Sequence, residues 1–218
     1  MIVSRSIVFH EIGHVCGYYL ANRHPETFLG DYRLVFAEKN CVEALSRIYV
    51  TDSKSHFENC QSLYSASMNI RRTVAYMIKN MLGCVFQSVI ENCVFDDLWQ
   101  LGKSGEKDLK NLYSMRTSYA FRWDDKDISS MQEHLKCILI DNNVLAKMIP
   151  LLEMIEAVLQ NVQSYTYEGK SLDELNYRIQ HILENVEAQY DFVLNYWEME
   201  FSNRIQDNPC SMLYSVLV

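Results

Sequence analysis

Apolar residues recur at threes and fours along most of this chain, and that spacing predicts helices joined by short connections. Val8, Ile12, Val15 and Tyr19 mark the first helix, from about Ser4 to Arg23, with Ser4 or Ser6 placed to cap it and Pro25 just past its end. Val74, Ile78, Met81, Val85 and Val89 mark a long buried helix from Ile70 to Cys93. Gly83 interrupts it at a cost of about 1 kcal/mol relative to alanine, which points to close contact with another helix, here expected to be the first. A loop through Asp96-Asp97-Leu98-Trp99 and Gly102-Lys103-Ser104-Gly105 leads into a helix from about Glu106 to Phe121, and another runs through Leu145 to Val162. From Leu172, the residues Leu175, Ile179, Ile182, Val186, Tyr190, Val193, Trp197 and Phe201 repeat to about Ile205. They predict one long C-terminal helix opened by a Ser171/Glu174 capping box. The texture changes only between Phe28 and Thr51. There Tyr32, Leu34 and Phe36 alternate with Arg33, Val35 and Ala37, and Arg47-Ile48-Tyr49-Val50 is a second β-favouring run, together a small two-stranded element. Seven glycines and three prolines leave few breaks, so the expected fold class is mainly α.

With 49% hydrophobic residues, the 218-residue chain can bury a substantial core without disulfide staples. The expected organisation is a first unit over residues 1–165 and a C-terminal helical extension over 166–218 that packs on or continues the same domain. The favoured arrangement folds the extension back on the helix of Leu145 to Val162 as an antiparallel pair. The alternative projects it as a coiled coil that meets a second copy or another protein. Met212 to Val218 are apolar, suited to docking in a groove or to remaining unstructured. Seven cysteines, an odd number without any CxxC, disfavour both a disulfide framework and a cysteine zinc cluster; reduced thiols imply a cytoplasmic setting. Nine residues before His10 are too few for a signal peptide, and no stretch is expected to reach the roughly 20 apolar residues of a membrane helix. A net charge of −8 without a basic stripe argues against nucleic-acid binding.

The candidate chemistry lies in His10-Glu11-Ile12-Gly13-His14, an HExxH sequence. Residues four apart on a helix lie one above the other, so His10 and His14 can both reach one metal ion. Glu11 sits about 100° further round, near a metal-bound water but not a ligand itself. Gly13 keeps one position bare for another backbone. The expected cofactor is Zn²⁺ and the expected reaction is peptide hydrolysis, with Glu11 as the general base that later delivers the proton to the leaving amine. Two acids compete as third ligand: Asp108, in the first turn of its helix where the ionised form is favoured, and Glu91, on the long helix.

The order of these parts resembles the peptidase domain of the FtsH-type AAA proteases. An HExxH helix, a small strand pair, a glycine-containing helix and a Gly-x-Ser-Gly-x-x-Asp-Leu turn follow one another over roughly residues 5 to 180. The resemblance implies a zincin-like helical domain in which Asp108, within Lys103-Ser104-Gly105-Glu106-Lys107-Asp108-Leu109, is the third zinc ligand. Leu82-Gly83-Cys84-Val85-Phe86-Gln87 is similar to the family's Gly-Arg-Ala-Ala-Glu stretch, with Cys84 in place of arginine and Gln87 in place of glutamate. The Asp108 segment carries one extra residue after its serine. Leu152 to Leu175, ending in Gly169-Lys170-Ser171-Leu172-Asp173-Glu174-Leu175, resembles the family's closing helical segment.

No Walker-type Gly-x-x-x-x-Gly-Lys-Ser/Thr occurs, so the expected substrates are peptides, flexible tails or unfolded protein, or else a separate partner supplies unfolding. Two other readings stand beside this one. A regulatory zinc peptidase resembling the ImmA/IrrE group would act on one specific partner, although that group's usual Glu-x-x-Ala-Asn-x-Phe-Ala helix is absent. A catalytically silent module would keep the peptidase fold as an interaction platform.

Overall fold

Two helices that meet through glycines form the centre of the molecule. In the computed structural model, which describes residues 5–38, 46–52, 70–116, 123–160, 162 and 164–206, α1 (Arg5–Asn22) lies along α2 (Ile70–Glu91). A methyl group at Gly13 would overlap the Leu82 carbonyl oxygen, and one at Gly17, a turn later, would sit 2.7 Å from Lys79 Cα. The two backbones therefore touch, as small residues one turn apart allow. Gly83 makes the reciprocal contact from α2, as its position mid-helix suggested. Gly13→Ala should cost about 1–3 kcal/mol through overpacking against rigid backbone. An unchanged urea midpoint would overturn this account of the contact.

Of the predicted stripe of α1, Val8, Ile12 and Val15 are buried and Tyr19 is half-buried, but the stripe understates the helix. Phe9, Cys16, Tyr18, Leu20 and Ala21 are buried as well, so α1 is wrapped by protein around most of its circumference. α2 is similarly enclosed. It is also the one described helix long and apolar enough to cross a membrane, which corrects the expectation that no stretch approaches that length; 83% of its most apolar window is buried within the fold, as in a core helix.

The small sheet contains the predicted pair, β1 (Tyr32–Glu38) and β2 (Ser46–Asp52), antiparallel with Leu34 opposite Val50. A third strand, β3 (Ser164–Tyr167), pairs antiparallel with the other side of β1, placing Leu34 opposite Tyr167. The order β2-β1-β3 takes up both sides of β1 and leaves β2 and β3 as the edges of the described sheet. β3 lies inside the segment expected to be a closing helix. Ser-Tyr-Thr-Tyr is a β-favouring run too short to announce itself.

After α2 come a single turn α3 (Phe95–Leu98), then α4 (Glu106–Arg116), α5 (Asp125–Asp141) and α6 (Val144–Leu159). The predicted continuous C-terminal helix is two helices, α7 (Lys170–Leu183) and α8 (Glu187–Gln206), separated at residues 184–186. No glycine or proline marks the break. The apolar stripe continues through buried Val186, but the surfaces it covers differ: α7 packs on α6 and α1, whereas α8 packs on α2 and α5. The fold-back on α6 thus holds for the first half only. Arg204 on α8 pairs with both oxygens of Asp127 on α5, at 2.6 and 2.8 Å. The Ser171/Glu174 capping box does not form, because α7 begins before it, capped by Gly169 at φ +53°, and the Ser171 hydroxyl donates to the Glu168 carbonyl.

One core runs from Val8 to Phe201, and the boundary at residue 165 cuts β3. Residues beyond it pack on the same core. Ser6 lies within α1; Ser4 and Met212 to Val218 lie outside the described residues.

Candidate metal centre

His10 and His14 project from adjacent turns of α1, and the first turn of α4 brings Asp108 to meet them. The imidazole Nε2 atoms are 3.1 Å apart, and each lies 3.2 Å from Asp108 Oδ2. A tetrahedral zinc with bonds of 2.0–2.1 Å has ligand-to-ligand edges of about 3.3 Å. All three side chains are buried, at 6, 6 and 7% exposure. α4 starts from Gly105, whose carbonyl accepts from Leu109 N at 2.9 Å, so Asp108 occupies the third helical position. The helix dipole there favours its ionised form.

The supporting contacts fix which ring nitrogens carry protons. His14 Nδ1 lies 2.9 Å from the Lys79 carbonyl oxygen, which can only accept, so Nδ1 donates and Nε2 is left with its lone pair. His10 Nδ1 lies 3.2 Å from Gln87 Oε1. The Gln87 amide is oriented by its Nε2, which donates to Glu91 Oε1 at 3.1 Å, so its oxygen faces His10 and that ring also donates through Nδ1. With both rings donating through Nδ1, the two Nε2 atoms and Asp108 Oδ2 converge within 3.2 Å, a set that can hold either a proton or a cation between them.

The electrostatics agree. Burial works against an imidazolium at His10, but its hydrogen bond to Asp108 prevails and, with no metal, holds proton affinity well above that of an ordinary histidine. Burial likewise opposes ionisation of Asp108, yet the adjacent His14 and His10 hold its carboxyl well below the usual range. A cation can replace the proton that the cluster otherwise retains. Gly83 makes room for the rings: a methyl there would stand 2.6 Å from His14 Cε1 and Nε2 and 3.0 Å from His10 Cε1.

Of the residues singled out from sequence, His10, His14 and Asp108 come together, and Glu11 stands half-buried beside them, its charge adding to the pull on His10. Glu91 does not join them. It is exposed and two hydrogen bonds away, supporting His10 only through Gln87. Sequence reading missed the Lys79 carbonyl, and it noted Gln87 and Cys84 only as departures from a family pattern. Cys84 is fully buried and puts a ligand atom within 4.8 Å of those of His10 and Asp108. Residues 84, 87 and 91 recur at helical spacing beside Gly83, and that shared face was the available signal. Comparison with family models, curated proteins and solved structures returns no match for this chain.

Proposed function

We propose that the chain is a zinc peptidase acting on peptides or on unfolded and flexible protein segments, of the kind its resemblance to the FtsH-type peptidase domain implies. The observation that carries this reading is the convergence of three ligand atoms, from His10, His14 and Asp108, with Glu11 next to the first histidine in sequence. That donor set, two imidazoles and one carboxylate, suits Zn²⁺ and leaves one tetrahedral position open. When bound, zinc supplies Lewis-acid polarisation of a carbonyl and lowers the pKa of a water toward about 7.

The chain's own residues do the rest. Gln87 and the Lys79 carbonyl hold each ring in one tautomer and orientation, so both Nε2 atoms stay available as ligands. Asp108, kept ionised, offsets part of the cation's charge. Glu11 is the general base that takes the proton of the attacking water and then gives it to the leaving amine. As the second residue of HExxH it is the group least required by packing and the one most specific to hydrolysis.

Cleavage of reduced casein by the zinc-loaded protein tests the proposal. A chelator should stop cleavage and added zinc should restore it. Cleavage indifferent to chelator, or none at one zinc per chain across several unfolded substrates, would sink the peptidase reading.

A further inference from the structure

The Cys84 thiol has no part in the mechanism above, yet it is buried within the same cluster. Its ligand atom, one of His10 and one of Asp108 all lie within 4.8 Å of one another, compared with edges of about 3.3–3.6 Å among N, O and S ligands of a tetrahedral zinc. The side chain has a single torsion, χ1, through which to close that difference. It is not held in a disulfide. On its other side lies Gly105, where a methyl group would overlap the Cys84 sulfur. The thiol therefore rests in space that only glycine leaves open. Thiolate is a favoured zinc ligand, and a centre with four protein ligands is closed, without the position that hydrolysis needs.

We propose that Cys84 is a fourth protein ligand of the metal, which makes the resting centre a closed His10-His14-Asp108-Cys84 site that becomes hydrolytic when the thiol withdraws toward Gly105. Closure forms a sulfur–metal bond as the thiol proton leaves to solvent, and opening reverses both. The inference rests on the metal centre proposed above, and it adds a latent state to it. It also separates metal content from activity: a fully loaded preparation can turn over slowly because its fourth position is occupied.

Cobalt substitution tests this on the full chain, because a thiolate ligand gives Co²⁺ a charge-transfer band in the near ultraviolet that nitrogen and oxygen ligands do not. The wild-type protein with one Co²⁺ per chain should show the band, Cys84→Ser should lose it, and Cys16→Ser, which removes another buried thiol, should keep it. Chelator competition should find cobalt held less tightly by Cys84→Ser, by about tenfold or more. The zinc form of that variant should cleave casein faster than wild type. If serine disturbs the fold, Cys84→Ala repeats the comparison. Cobalt bound at one per chain with no band, or with a band that persists without Cys84, would overturn the fourth ligand and leave the three-residue centre standing. No cobalt bound by any of these proteins would overturn both.

Discussion

Replacing Glu11 by glutamine should abolish turnover while leaving one zinc per chain. Glutamine keeps the size of the side chain and its fit beside His10, but it cannot take up a proton. Loss of a positioned general base lowers rates by roughly 10²- to 10⁴-fold. Because Glu11 contributes none of the three converging ligand atoms, metal content and thermal stability should be unchanged. The measurement is casein cleavage and zinc content on the same preparation of each protein. A Glu11→Gln protein as fast as wild type would remove Glu11 from the chemistry, and one that lost its zinc would make Glu11 part of the metal shell.

Asp108→Ala should release the metal, and Glu91→Ala should not. Asp108 Oδ2 closes the triangle with both imidazoles, and its loss leaves two neutral rings whose lone pairs face each other at 3.1 Å. Removing a supporting residue around a metal costs about 10–100-fold in affinity, so loss of a ligand should exceed that range. Glu91 reaches His10 only through Gln87, and its removal should fall at the low end or below it. Zinc affinity measured by competition with a chromogenic chelator distinguishes the two. Equal losses would return Glu91 to candidacy as a ligand, and an Asp108→Ala protein with full affinity would refute the centre described above.

The readable part of the site was local. HExxH puts two rings on one helical face by spacing alone, and Asp108 followed from a resemblance in the order of elements. What could not be read was supplied by tertiary contact. A carbonyl such as that of Lys79 carries no side-chain signature, and Gln87 gains its role only because α2 lies against α1. The fold divides in the same way. Periodicity located α1, α2, α4 and α6 to within a few residues, apart from the far end of α4, where Phe121 lies outside the described residues. It could not see the break at residues 184–186, where the apolar repeat runs on while the helix changes partners. β3 stayed hidden because four residues carry too little pattern to compete with helical texture on either side.

The strand β3 also sets the order in which the molecule can be completed during synthesis. The central strand β1 gains its second neighbour only from residues 164–167, and the histidines at 10 and 14 meet Asp108 only after some ninety further residues have been made. At roughly 5–20 residues per second, that interval lasts on the order of 5–20 s. Through it the nascent chain carries two histidines and, later, several thiols with no finished site around them. Every residue of the candidate centre has been made by residue 108, about halfway along the chain, so the centre can come together before β3 exists and the sheet is the part that closes last.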